Sequence, residues 1–280
     1  ILSNMLPVKK IYVDSKYKTA DSKSDSNFKF QLPQTCYMPD DTKFFISDVC
    51  IPHSWYSINS FNCKLYLRTF DGNGLQQDYI IELEQKTYNG STFATEIANK
   101  IQAKTTIAPT KSFNATTNQL TMHIGSLLFQ FLTDKELQDP VALTTFAWNG
   151  SPYDKNNLQS ANAVISNTAD NSVAYTNPPS THVFNQQLQL QPIRNVYIHS
   201  TNLGSFTTIG AKGEQTIIKK VPVNNNYSEM IFSDYNAGMA DMMDCSKQTL
   251  KQLHFIITNV DGQEIPFHGN HVSFSIVFNN

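Results

Sequence analysis

The sequence predicts a mainly β protein, a sandwich of two antiparallel sheets with a small α+β insertion domain. Charged residues are only 16 % of the 280 residues and aromatic residues are 11 %, a composition that favours short strands and polar loops over helices. Alternating apolar residues mark about eight or nine strands. One central stretch instead repeats its apolar residues at helical spacing.

The two clearest strands lie between Gln252 and Phe278. Every second residue of 253–257 and again of 272–278 is large and apolar, so each strand has one face to bury. Asp261 and Gly262 between them suit a tight turn. Because the chain stops inside the last pattern, we expect that strand to lie in the middle of a sheet. Ile1 is consistent with a processed or trimmed start.

The first part of the chain also alternates in short runs. The predicted strands are 10–14, 28–32, 44–51, 65–67 and 79–83. A polar loop or arm at 15–27 separates the first two, and Pro33 is expected to stop the second. The change of parity at Ser47-Asp48 predicts a β-bulge. Residues 71–74 (DGNG) predict the turn of a hairpin.

The pattern changes after Gly90. Ser91 or Thr92 can cap a helix whose buried face carries Phe93, Ile97 and Ile101. Further along we expect strands at 120–124 and 127–132, a helical turn at 133–137 and a second helix at 156–166. The insertion domain is therefore placed at 76–167, and a polar linker or surface loop follows at 167–182.

The β pattern resumes near residue 188. Strands are expected around 196–198, 217–223 and 230–232, followed by the closing pair. Together with the early strands they suffice for a single jelly roll, discontinuous over 1–75 and 168–280. A large insertion in one of its loops is tolerated, since closure entropy grows slowly with loop length.

Charge and cysteine content exclude several classes. The net charge is −2 and the longest basic runs are the pairs Lys9-Lys10 and Lys219-Lys220, so direct binding of nucleic acid is not expected. No segment approaches the roughly 20 apolar residues of a membrane span. The four cysteines have no metal-type spacing, so reduced thiols are favoured over a disulfide framework. They are Cys36, Cys50, Cys63 and Cys245.

Three groups of residues faintly resemble metal or redox sites. His254, His268 and His271 form a histidine cluster that a cupin-like enzyme could use, but exposed loop histidines are the favoured interpretation. The acidic turns at 21–27 and 71–74 lack the closing Glu of a calcium loop. A methionine-rich turn is better explained by packing; it contains Met239, Asp241, Met242, Met243, Asp244 and Cys245.

No nucleophile elbow, zinc-protease helix or phosphate-binding loop occurs. We name no catalytic, cofactor-binding or metal-binding residue, expect no cofactor, and predict that the protein is not an enzyme. Four aromatic residues could recognise sugars or a partner protein, or could equally be packing residues. They are Trp55, Tyr56, Trp148 and Tyr153. Glycosylation sequons at Asn89, Asn114 and Asn226 are treated as coincidence, because no signal segment precedes them.

Several segments resemble one family in their order and joint presence. They are 12–16 (YVDSK), 88–91 (YNGS), 194–203 (RNVYIHSTNL), 213–223 (GEQTIIKKVPV) and 250–278. They are similar to the minor capsid, or penton, proteins of virophages and Polinton (Maverick) elements. The resemblance covers most of the chain, is strongest over 194–280 and is weakest between about 140 and 185.

The resemblance implies a structural virion protein. Such a protein would form homopentamers at the fivefold vertices of an icosahedral capsid, contact the double jelly-roll major capsid protein, and expose the insertion domain outside. Assembly would occur inside the infected host cell. The family has no catalytic residues to carry over. The alternative functions are a binding module that recognises a host glycan or receptor through the inserted domain, and a cupin-like metalloenzyme.

Overall fold

The chain divides into two compact units. A computed structural model describes residues 6–138, 154, 156–167, 181–184, 187–203, 208–234 and 242–279. Unit 1 comprises Ile1–Trp55 with Ile193–Asn280, and unit 2 comprises Tyr56–Pro192. These limits differ from the predicted 75/76 and 167/168, because the strand that follows residue 63 pairs only with strands of unit 2. Phe184 and Leu188 likewise pack in the core of unit 2.

Fifteen strands and two α-helices occur in the described part of the chain. The strands are β1 (Lys10–Asp14), β2 (Asn27–Tyr37), β3 (Lys43–Pro52), β4 (Lys64–Phe70), β5 (Gln76–Glu82), β6 (Thr110–Asn114), β7 (Gln119–His123), β8 (Leu128–Phe131), β9 (Thr181–Val183), β10 (Asn195–Ser200), β11 (Ile217–Pro222), β12 (Met230–Asp234), β13 (Met243–Asp244), β14 (Thr249–Thr258) and β15 (Ser273–Asn279). The helices are α1 (Gly90–Thr105) and α2 (Asp134–Gln138). A 3₁₀ turn, Ser15–Tyr17, follows β1.

Unit 1 is a jelly roll. One antiparallel sheet has the order β1-β15-β3-β12, with β13 paired to β3, and the other has the order β11-β10-β14-β2. Apart from the two-residue strand β13, each sheet has four strands, and this strand order is that of a jelly roll, which combines two Greek keys. The predicted mainly β sandwich is therefore confirmed. The alternating residues of β14 and β15 face one shared core, as their period of two predicts.

Details of the unit 1 strands test the sequence predictions. The last strand, β15, lies between β1 and β3, so the prediction of a central closing strand is confirmed. The predicted bulge is present, since Ser275 pairs with Asp48 whereas Ile276 pairs with Ile46. The prediction that Pro33 ends its strand is wrong. Strand β2 is the edge of its sheet and its register shifts next to this proline, so the missing N–H is tolerated.

Unit 2 is an α+β assembly around its own core. The sheets have the orders β5-β4-β8 and β6-β7-β9, and α1 packs against β5 and β6. Helix α1 is capped by Asn89, so the predicted cap at Ser91 or Thr92 is wrong. The Asn89 side chain accepts from the Thr92 N–H at 2.9 Å, and Thr92 Oγ1 accepts from the Asn89 N–H at 3.0 Å. This reciprocal pair is a capping box.

The second predicted helix, at 156–166, is absent from the described residues 156–167, where the chain forms turns and a bridge. The backbone there bonds to β4, with Lys64 N donating to Gln159 O and Ala161 N donating to Lys64 O. Those bonds replace the hydrogen bonds of a helix. Ala161 and Ile165 are buried, as the apolar pattern predicts, but in a non-helical segment. Strand β6 was not predicted, because Phe113 is its only large apolar residue.

Candidate functional site

Two of the three clustered histidines, His254 and His271, contact different neighbours. The ring nitrogens of His254 lie 2.9 Å from Asn27 Oδ1 and 3.2 Å from Thr201 Oγ1. His271 Nδ1 lies 3.4 Å from Asp25 Oδ1. His268 has a left-handed backbone with φ of 52° in the preceding loop. No group of three or more His, Cys, Asp or Glu residues that could hold a metal ion occurs in the parts of the chain that the structure describes.

The methionine-rich turn is partly described. Met243 and Cys245 are buried in the unit 1 core, whereas Met239 and Asp241 lie outside the described residues. Burial, together with the nearby carboxylate of Asp244, raises the pKa of the Cys245 thiol to about 12. The thiol is therefore protonated at neutral pH and is a poor nucleophile. Cys36, Cys50 and Cys63 are free thiols too.

The two acidic turns use their carboxylates internally. Asp71 Oδ1 accepts from the N–H groups of Asn73 at 2.9 Å and Leu75 at 2.7 Å, which closes the β4–β5 hairpin. Asp21 bonds to Lys29 at 2.6 Å and Asp25 bonds to Lys18 at 2.5 Å. These groups hold turns together, which is the interpretation that the sequence favours.

The two candidate recognition aromatics that the structure describes, Trp55 and Tyr56, do not form an exposed platform. Trp55 is buried, with its ring centroid 4.4 Å from that of His53 and 6.2 Å from that of Phe267. Tyr56 is half-buried, and Trp148 and Tyr153 lie outside the described residues. The amide oxygens of two sequons serve local structure, since Asn89 caps α1 and Asn114 accepts from the Thr116 and Thr117 N–H groups.

Exposed aromatic residues do mark one edge of the jelly roll. Strands β1 and β2 are edge strands of the two sheets, and the chain between them runs along β2, with Thr19 N donating to Lys29 O at 2.9 Å. The tyrosine flank is defined here as the exposed side chains of Tyr12, Tyr17 and Tyr37. Tyr12 is 71 % exposed although Ile11 and Val13 beside it are buried.

A second patch lies at the opposite edges of the same sheets. Strand β12 is one edge strand and β11 is the other, and the segment before β11 is fixed by Thr208 Oγ1 donating to Ile217 O at 2.9 Å. The apolar flank is defined as Ile209, Met230 and Phe232, all exposed. Phe232 is 63 % exposed on a strand that pairs on one side only.

These flanks are the candidate functional site of unit 1. Tyrosines bury large area and keep a hydroxyl in water, and an exposed apolar edge strand is prone to pair or pack with another chain. Neither flank was predicted from the sequence. The sequence does contain an indication of them. Tyr12 and Phe232 are aromatic residues at strand positions that face away from the core.

Comparison with known proteins identifies the fold. No protein-family model matches the chain, and no curated protein matches it significantly. The mavirus penton protein superposes with a TM-score of 0.54 at 8 % identity, covering 97 % of this chain and 98 % of that one. A chain of the Sputnik virophage particle matches with a TM-score of 0.46 at 11 % identity over 97 % of this chain and 98 % of that one. The protein has the fold of a virophage penton protein, as the sequence resemblance implies.

Proposed function

We propose that the chain is a structural capsid protein that forms homopentamers at the fivefold vertices of an icosahedral virion. The likeness to the mavirus penton protein over 97 % of the chain carries this proposal. The match extends over residues of both units, so it is not limited to the widespread jelly-roll part. Assembly inside an infected host cell, outward exposure of unit 2 and contact with a double jelly-roll major capsid protein belong to the same proposal.

The two flanks of unit 1 support closed assembly. A ring of five identical subunits uses a head-to-tail interface, so each copy must present two unlike patches. The tyrosine flank and the apolar flank are unlike and lie at opposite sheet edges. A net charge of −2 per chain limits repulsion between five neighbouring copies. In this proposal Phe232 of one copy packs against the tyrosine flank of the next.

We infer that the protein works by assembly and not by catalysis. The carboxylate of Asp71 accepts from backbone N–H groups and that of Asp21 is paired with Lys29, while the thiol of Cys245 is protonated at neutral pH. Direct contact with nucleic acid is not part of the proposal, since the sequence has no run of basic residues longer than two. No helix in the described parts of the chain is long and apolar enough to cross a bilayer.

Light scattering on the purified chain tests this function. The expected mass is five times 31.6 kDa, and Phe232→Lys is expected to shift the mass toward the monomer, because it places a charge in an apolar contact. Leu75→Lys is the matched control, since Leu75 is similarly exposed but lies on a unit 2 hairpin. A stable twofold dimer, or equal loss of assembly in both variants, would contradict the proposal.

A further inference from the structure

A cleft on unit 2 lies beside the first turns of α1. Its volume is about 430 Å³, within the range of roughly 300–1,000 Å³ typical of small-ligand sites. One wall is the exposed face of α1, where Ser91, Thr95 and Asn99 follow one another at four-residue spacing. The other wall and the floor are the segment 86–88.

The segment 86–88 is held rigidly in place. Lys86 O accepts from Ser57 Oγ at 3.3 Å and from Ile58 N at 3.2 Å. Tyr88 N donates to Ser57 Oγ at 3.0 Å, and the Tyr88 hydroxyl donates to Glu84 O at 2.9 Å. A site whose walls are fixed before the ligand arrives loses little conformational entropy on binding.

The cleft offers hydrogen-bonding groups and little net charge. Its lining holds one cation, Lys86, and one anion, Glu96. Lys86 Nζ lies 2.5 Å from Glu84 Oε2, so its charge is already balanced. The Glu96 side chain is only 11 % exposed; it accepts from the Glu84 N–H at 3.1 Å, lies 3.7 Å from Lys100 Nζ and interacts with the Tyr88 side chain. A carboxylate has about four acceptor sites, so Glu96 can still accept a hydroxyl bond from the cleft.

An anionic ligand fits this cleft poorly. The N–H groups in the first turn of a helix attract an anion where they are open, and here the Asn89 side chain occupies one of them by accepting from Thr92 N at 2.9 Å. The carboxylates of Glu84 and Glu96 would also repel a second negative charge. By contrast, the Ser91 hydroxyl and the Asn99 amide have no hydrogen-bond partner among the described residues.

We propose that this cleft binds an uncharged saccharide. The Ser91 and Asn99 side chains would bond sugar hydroxyl groups from one wall. The Thr95 hydroxyl donates to Ser91 O at 2.9 Å and would accept from a sugar hydroxyl, as would Glu96. A polyhydroxy ligand matches this lining because each hydroxyl both donates and accepts. The inference concerns unit 2 alone and does not depend on the assembly of unit 1 into pentamers.

A glycan array probed with the purified full-length chain tests the proposal. The array carries uncharged oligosaccharides and their sialylated counterparts, and free hexoses and N-acetylhexosamines are examined in parallel by saturation-transfer NMR. The expected result is binding to uncharged sugars on the array, in solution or both. Binding confined to sialylated glycans, or no binding to any uncharged sugar by either method, would overturn it.

Two variants and a matched control localise the binding. Thr95→Arg fills the cleft with a long side chain, and Asn99→Leu removes an amide that would bond a sugar hydroxyl. Each variant is expected to lower sugar binding by about tenfold or more, because a blocked site excludes the sugar and an unpaired sugar hydroxyl weakens binding. Gln102→Arg is the control, because Gln102 is exposed on the same helix but outside the cleft. Full binding by Thr95→Arg, or equal loss in the control, would refute the site. A chain that binds sugar but forms no pentamers would contradict the capsid proposal and leave the saccharide site supported.

Discussion

Phe255 and Phe274 meet edge to face inside unit 1, with ring centroids 4.9 Å apart and ring planes at 87°. Phe255 belongs to β14 and Phe274 to β15, which are consecutive in the chain but lie in different sheets. Phe28 of β2 lies directly opposite Phe255 in the β2–β14 pair, with ring centroids 5.6 Å apart. The contact therefore joins the two sheets of the sandwich through their shared core.

Shortening Phe255 tests how much this contact stabilises the jelly roll. Phe255→Ala is expected to lower the free energy of unfolding by about 3–5 kcal/mol, because a fully buried ring is lost and a cavity remains. Urea unfolding followed by circular dichroism measures the change. Val260→Ala, at an exposed apolar position of the same unit, should change it by less than about 0.5 kcal/mol. A cost below about 1 kcal/mol for Phe255→Ala would show that the sheets are held by other contacts.

The Phe255–Phe274 pair also shows what the sequence can and cannot predict. Alternation placed both rings on buried faces, because the side chains of a strand point to alternate sides. Which strands pair could not be predicted, since β15 bonds to β3 and β1 from distant parts of the chain. The apolar spacing gave a wrong prediction of a helix at 156–166. Leu158, Ala161 and Ile165 have helical spacing, but the backbone there forms hydrogen bonds to β4.

The functional surfaces were less predictable than the fold. Burial patterns reveal a core, whereas Tyr12 and Phe232 are informative only once their strands are known to be edges. The cleft beside α1 brings the loop at 86–88 against the exposed face of a helix. Its residues, such as Thr95 and Asn99, are of types that occur on any exposed helix face. These residues indicate a binding site only because the tertiary structure places them in a cleft, which the sequence does not reveal.

Gly90 is predicted to be required at the start of α1. A Cβ built on Gly90 would lie 2.0 Å from Phe113 Cζ, so Gly90→Ala must displace the Phe113 ring. The expected net cost is about 1–3 kcal/mol, typical of overpacking, despite the better helix propensity of alanine. Gly72→Ala is the matched control, since nothing lies within 4 Å of its Cβ position. Chemical denaturation measures both, and Phe113→Leu is expected to relieve part of the Gly90→Ala cost.

The ion pair of Arg68 and Asp78 gives a prediction for unit 2. Arg68 Nε lies 3.0 Å from Asp78 Oδ1, and the Asp78 side chain is only 1 % exposed. Burial raises the pKa of Asp78 although Arg68 opposes that change. Arg68→Met is therefore expected to destabilise the protein by about 3–5 kcal/mol, because it leaves a buried carboxylate without its cation.

A second substitution separates the charge effect from packing. The double variant Arg68→Met with Asp78→Leu should recover most of the lost stability, since no uncompensated charge remains. Thermal or urea unfolding of the double variant and of both single variants, Arg68→Met and Asp78→Leu, provides the comparison. If the double variant is as unstable as the sum of the two single changes, the ion pair matters through its shape and not through its charge.

The stability of unit 1 is predicted to fall in mildly acidic solution because of His199. This buried imidazole lies between two hydroxyl groups, with Nδ1 3.1 Å from Thr216 Oγ1 and Nε2 2.9 Å from Thr258 Oγ1. Burial lowers its pKa below the ordinary value, although the carboxylate of Glu214 acts in the opposite direction. The pKa of His254 is lowered as well, by burial and then by the charge of Lys29.

The direction of the pH dependence follows from the number of protons that the folded and unfolded chains bind. Because the folded-state pKa of His199 is lowered, the unfolded chain binds more protons as the pH falls through about 6.5, so the free energy of unfolding decreases until the pH passes below the folded-state pKa. Urea midpoints measured between about pH 7.5 and 5.5 should show this decrease before carboxylates with ordinary pKa values titrate. His199→Gln keeps a polar group between Thr216 and Thr258 but does not titrate, so its slope should be shallower, with the remainder due to His254. An unchanged slope in His199→Gln would show that His199 is not the group whose protonation destabilises the fold.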